Sequence, residues 1–240
     1  MYDPTVARLT YRALLGRRRA LILSALPALL LVIAIAVRLL DAADDAVAVQ
    51  LLSSFALATM VPIIGVIAGT GAIGPEIDDG SIVYLLSKPL KRPTIIMTKL
   101  FVAVAVTMAF SGLPILVAGF ILVGGSQQIA AAFAIAAIVA SIAYSALFLL
   151  LGTVTRHAVV FGLVYALLWE ALFGSFVDGA RTLSVQQWGL AVAERVVGDG
   201  VDVTSAVGLT TAAILLAVVT VAGTWYAGQR LKRLALTGEE

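Results

Sequence analysis

The sequence predicts an all-α integral membrane protein. Six transmembrane helices are joined by an amphipathic N-terminal helix, an amphipathic helix between spans two and three, and short external helices between spans five and six. Three observations carry this prediction. The 240 residues are 61% hydrophobic and 12% charged, with mean hydropathy +1.07, whereas a soluble domain carries about 25% charged residues. Several apolar runs reach the roughly 20 residues that cross a bilayer. The charges collect between those runs, and their sign is sided: 13 of the 16 Lys and Arg residues fall on one set of connections. That asymmetry marks the cytoplasmic side, so both termini and the loop between spans two and three are expected there, in a plasma or inner membrane.

The chain reads as one transmembrane domain. In residues 1–19, Asp3-Pro4 gives an N-cap followed by proline at the first helical position. Val6, Leu9 and Ala13 then share a face opposite Arg8 and Arg12, which predicts a helix lying on the membrane surface. Arg17, Arg18 and Arg19 precede a first span over about Ala20–Val37, too long an apolar run for a cleaved leader. The second span is read over about Val47–Ile73, the third over Lys99–Val123 and the fourth over Ile129–Leu151. The fifth is read over Ala158–Val177 and the sixth over Ser205–Tyr226, with a cytoplasmic tail over 229–240.

The longest mixed polar stretch is 74–98. It opens acidic with Glu76, Asp78 and Asp79, and closes basic with Lys88, Lys91 and Arg92, Lys99 following. Gly80-Ser81 can start a helix and Pro89 can stop it. Tyr84, Leu85 and Leu86 lie in between. The segment is either a solvated loop or a docking element for a cytosolic partner. The external segment 178–204 has capping-box spacing at Ser184–Gln187 and an apolar stripe of Val185, Trp188, Val192 and Val196, ended by Gly198. This predicts a re-entrant or interfacial helix with Trp188 as its anchor, or a surface helix of structural use only.

Several chemistries are excluded. There is no cysteine, hence no disulfide framework and no thiolate site. No Gly-x-x-x-x-Gly-Lys-Ser/Thr loop is present to hold ATP. The single histidine, His157, sits in a short basic turn without neighbouring carboxylates, a poor metal site. Gly69-Thr-Gly-Ala-Ile-Gly74 matches the spacing of a dinucleotide fingerprint, but an apolar run of more than 20 residues precedes it and Pro75 follows. Gly65-x-x-x-Gly69 permits close helix packing in lipid, or marks a glycine-rich helix end. No catalytic, cofactor or metal residues are expected.

Glu170 lies in the fifth apolar run, about 12 Å along a helix from Asp178. A carboxylate there costs on the order of 2.5 kcal/mol or more and needs a partner or a polar cavity. It either lines a pathway or gate, or is a structural acid tied to Arg181, Arg195 or a hydroxyl on a facing helix.

Glu76-x-Asp-Asp-Gly-Ser81, then Leu85-Leu-Ser-x-Pro89, Arg92 and Lys99-Leu100, resembles the cytoplasmic segment of ABC transporter type 2 permeases. Ser81 stands where that family typically has threonine, and Lys88–Pro93 is more basic than its usual pattern. The resemblance implies a non-enzymatic permease subunit of an ATP-driven exporter. Its N-terminal helix would be an elbow helix, and its 76–90 segment a coupling helix. It would pair with a second permease copy, homodimeric or related, and with two cytosolic ATPase subunits that hold ATP and magnesium. Glu76, Asp79, Gly80, Ser81, Tyr84, Leu85 and Leu86 would face the ATPase. The rivals are an ion-coupled secondary transporter using Glu170, which would need a second intramembrane ionisable group, and a membrane anchor or sensor. The Ala-, Val- and Leu-rich spans favour a lipid-like or amphipathic cargo over a highly charged one.

Overall fold

A computed structural model describes residues 3–82, 92–124, 127–173, 178–198 and 201–236. Among them the chain is helical throughout its regular structure, with no strand. The elements are α1 (Pro4–Leu14), α2 (Arg17–Leu39), α3 (Asp45–Gln50), α4 (Val61–Gly71), α5 (Gly74–Asp78), α6 (Arg92–Val123), α7 (Gln127–Val154), α8 (Ala158–Val164), α9 (Asp178–Arg181), α10 (Val185–Val197) and α11 (Leu209–Leu236). A π-wound segment, Leu51–Met60, fuses α3 to α4, and a second, Tyr165–Phe173, extends α8.

Five helical runs are long and apolar enough to cross a membrane: Arg17–Leu39, Asp45–Asp78, Pro93–Val123, Gln127–Val154 and Leu209–Lys232. The fifth apolar run of the sequence, read as a span over Ala158–Val177, falls short among the described residues. Its 7 α-helical and 9 π-wound residues, 16 in all, reach about 24 Å at 1.5 Å per residue, against the roughly 30 Å of the hydrocarbon core.

α7 is the hub. It packs against α4, α6, α10 and α11, and its interior face is made of small residues such as Ala136, Ala140, Ala143 and Ser145, all fully or almost fully buried. Gly65 and Gly69 on α4 belong to this contact: a Cβ at Gly65 would lie 2.9 Å from Tyr144 Cβ, and one at Gly69 would lie 2.7 Å from Phe148 Cβ. The close packing expected of Gly65-x-x-x-Gly69 is therefore made inside one chain. The same helical geometry disposes of the dinucleotide reading, because no strand precedes Gly69. Between α6 and α7, two hydroxyl pairs lie in the apolar interior: Thr107 with Ser145 at 3.2 Å and Ser111 with Ser141 at 3.1 Å.

α2 and α11 are the least buried long helices. They present Leu21, Ile22, Val32, Ile214, Val218 and Val221 outward, as lipid-facing helices do. α1 and the last turns of α11 both lie beside the first turns of α6, so the two ends of the described chain share one side of the bundle.

Candidate functional site: the foot of the bundle and the Glu170 cap

The foot assembles from four pieces. Asp3 caps α1 by accepting from the backbone N–H groups of Thr5 and Val6, each at 2.9 Å, with Pro4 at the first helical position. The buried face of α1 is Val6, Ala7, Thr10 and Leu14. It is not the Val6–Leu9–Ala13 stripe read from the sequence, since Leu9 is 53% exposed and Ala13 also points outward. The reason is Thr10. Its hydroxyl donates to Val6 O at 2.9 Å within the helix, so a nominally polar side chain enters the interior satisfied.

α6 begins at Arg92, earlier than the third span was read, so Lys99 lies two turns inside a helix rather than at its end. Its side chain is 1% exposed. A lysine ammonium has three N–H donors and no acceptor, and three acceptors meet it here. Nζ lies 2.7 Å from Glu76 Oε1, 2.7 Å from Ala72 O and 3.5 Å from Thr10 Oγ1. Ala72 is the C-cap of α4, so its carbonyl belongs to the last turn that an α-helix leaves unpaired. Glu76 belongs to the short α5 that follows. One cation thus joins α1, the end of α4, α5 and α6. The backbone N–H of Asp3 also donates to Thr98 Oγ1 at 3.1 Å, one residue before Lys99. Leu14 comes close enough to α4 that a Cβ at Gly71 would lie 3.0 Å from its Cδ2.

The residues expected to face an ATPase separate here. Glu76 turns inward to Lys99, and its Oε2 is buried with no hydrogen bond among the described residues. Asp79 and Gly80 are exposed, and Gly80 makes the turn with φ +69°, a conformation that favours glycine. Ser81 follows with its hydroxyl 3.5 Å from Glu76 O. Helical backbone resumes at Ile82, and Tyr84, Leu85 and Leu86 lie outside the described residues. The Glu76–Lys99 pairing was not read from the sequence. The available signal was two opposite charges, each one turn or two inside its helical run, on consecutive spans.

The second polar centre surrounds Glu170, which is fully buried. Tyr165 Oη donates to Oε1 at 2.7 Å, and the Ser184 hydroxyl donates to Oε2. The backbone N–H groups of Val185 and Gln186 point at the same carboxylate, at 3.0 and 3.3 Å. These are the first N–H groups of α10, which have no partner within the helix. A negative charge at this place is favoured by the helix dipole as well. Ser184 is also the N-cap, accepting from Gln187 N. Gln187 does not close the expected capping box. Its amide oxygen accepts from Ala206 N at 3.1 Å, binding the loop before α11, while Gln186 Nε2 donates to Ser53 O on the π-wound segment at 3.3 Å. The Tyr165 ring stands edge-on to Phe148, which stacks on Tyr144. Through Tyr165 the Glu170 carboxylate is linked to the Tyr144–Phe148 stretch of α7, and α10 starts at that carboxylate. The expected tie to a hydroxyl is present, and backbone N–H groups complete it.

Trp188 is not an exposed interfacial anchor. It is 3% exposed and donates from Nε1 to Thr182 O at 2.9 Å. Gly189 beside it lies against Ala136 and Ala140 of α7. Val196, read on the same apolar stripe, is 40% exposed. α10 is thus packed into the bundle, ended at Gly198 with φ +72°. His157 stands in an exposed turn, and no cluster of metal-ligating side chains occurs among the described residues.

These features define a multi-pass helical membrane domain in which the buried charges seen here fasten helices to one another. The chain belongs to the ABC-2 transporter family: the family model described as ABC-2 family transporter protein matches residues 6–180. That family is a membrane transport component. The match spans the foot, the hub helix and Glu170, and ends before Ser184 and α10. No match was found among curated proteins.

Proposed function

We propose that the chain is the permease subunit of an ATP-driven exporter. In this reading a separate cytosolic ATPase holds ATP and magnesium and engages the 76–90 segment. The observation that supports it most directly is the foot. The acidic turn that opens this segment is tied by Lys99 to the ends of two long helices, which is the mechanical connection a chain without a phosphate loop needs if its energy arrives from a partner. Asp79, Gly80 and Ser81, followed by Tyr84, Leu85 and Leu86, are the proposed contact surface.

The proposed layout has six crossings with both ends cytoplasmic. Its support is that α1 and the end of α11 share one side with the foot, and that 13 of 16 basic residues fall on that side. The crossing between Ala158 and Leu209 is then shared by α8, its π-wound extension and the re-entrant α10. Two copies of the permease enclose the pathway in this reading. Because Gly65 and Gly69 are occupied within the chain, the interface is built from other exposed apolar helix faces. The cavities found are surface clefts, such as one of about 390 Å³ between Pro93–Leu100 and Thr220–Lys232. Its apolar lining is in keeping with lipid or an amphipathic cargo.

The test is affinity capture of the tagged chain from its native membrane, with the captured ATPase identified by its phosphate loop and by hydrolysis. Tyr84→Ala with Leu85→Ala should lose the ATPase while the permease stays folded. Transport that persists in a chain with no nucleotide-hydrolysing partner would overturn the reading.

A further inference from the structure

We propose that Lys99 is the positioning residue of coupling: it makes the elbow helix, the end of α4 and the acidic turn Gly74–Asp78 one rigid foot on α6. The inference rests on the permease reading above and goes further by naming the side chain that transmits the load. Three observations converge on it. All three donors of a 1%-exposed ammonium are taken up, and each acceptor lies on a different element. Two of the contacts are 2.7 Å, and one of these is an ion pair. Charge-assisted bonds of this length resist displacement more than neutral ones. The elbow is held a second time beside the same spot, through Asp3 N–H and Thr98.

The geometry has a mechanical consequence. α5 has 5 residues and α1 has 11. Neither is long enough to keep a position on its own, because short isolated helices are marginal. Without Lys99, a push on the 76–90 segment would bend the turn at Gly74–Asp78. With Lys99, the same push is delivered to α4 and α6 together, and the elbow moves with them. A lysine suits this task because it reaches along α6 with a flexible stem and bonds in three directions.

The natural absence of cysteine makes a clean measurement possible. Tyr11 on α1 and Asp78 on α5 are both exposed, and each can be replaced by cysteine and spin-labelled. The distance between the labels is read in the complex with its ATPase, nucleotide-free and vanadate-trapped. The expected result in the otherwise native chain is one narrow distance that trapping does not move. In Lys99→Met/Glu76→Gln, which removes both charges and so strands neither, the distance is read on the fraction of the permease that carries the ATPase. The trapped state then shows a broadened or second distance. Lys99→Met alone should do the same if it folds. A double variant that keeps the narrow distance, even with a lowered melting temperature, would make Lys99 a stability element only and overturn the proposal. A shift of the distance in the native foot on trapping would overturn it too. If the native chain captures no ATPase, the permease reading fails, and the nucleotide-free distances alone still judge whether Lys99 fastens the foot.

Discussion

Single residues in this bundle act through what they leave unsatisfied elsewhere. Glu170 accepts from two hydroxyls and from two backbone N–H groups of α10. Glu170→Gln keeps the shape but turns an amide NH₂ toward groups that are themselves donors, and stranding a buried donor costs about 1–3 kcal/mol. Glu170→Leu strands them all. Thermal stability in detergent should therefore fall in the order native, Gln, Leu. An unchanged melting temperature for Glu170→Leu together with lost transport would instead assign the residue to a pathway or gate. Gly69 offers a second case, because a methyl there meets Phe148 Cβ at 2.7 Å and the Leu149 backbone at 3.1 Å. Neither is the free end of a side chain, so Gly69→Ala should destabilise by about 1–3 kcal/mol, as overpacking does. Gly74→Ala is the control, since nothing lies within 4 Å of its Cβ.

At the scale of elements, α6 and α7 are joined by small residues and by hydroxyls. The Ser111 and Ser141 oxygens also lie 2.6 Å from the carbonyl four residues back, so the single proton of either hydroxyl keeps a backbone acceptor when the other is removed. A double-mutant cycle over Ser111→Ala and Ser141→Ala should thus return a modest coupling, near the 0.6 kcal/mol or so typical of hydrogen bonds between membrane helices. A coupling well above that, read from unfolding in detergent, would mean that the pair is isolated from its own backbone. α10 is held differently. Its N-terminus is capped from another element by Glu170, its Trp188 indole is tied to Thr182 O, and Gln187 receives Ala206. A half-length helix buried in the bundle needs such ties because no loop in water supplies them.

For the whole molecule, sidedness is the property open to direct measurement. Single cysteines at Asp44, Asp79 and Asp202, all exposed, are introduced into a chain that has none of its own. With an impermeant thiol reagent on intact cells, Asp44 and Asp202 should label and Asp79 should label only after the cells are opened. Labelling at Asp79 alone in intact cells would invert the topology and remove the cytosolic ATPase from the picture.

The class of this protein was legible in its sequence because the bilayer acts on composition. Runs of some twenty apolar residues, the basic flanks and the Asp3-Pro4 start are local properties, and the long helices follow them closely. Even the end at Gly198 was readable, since a positive φ favours glycine. What composition did not contain was partnership. Lys99 and Glu76 read as charges of the polar stretch between two spans and Trp188 as an anchor at the outer interface, yet all three are groups whose partners come from other elements. Glu170 announced itself as costly, but the groups that satisfy it are two hydroxyls and the backbone N–H groups of a helix beginning fifteen residues later, and a backbone N–H has no sequence signature. Hydrophobicity sets which residues leave water, and only the tertiary structure decides that α10 packs against the hub helix α7.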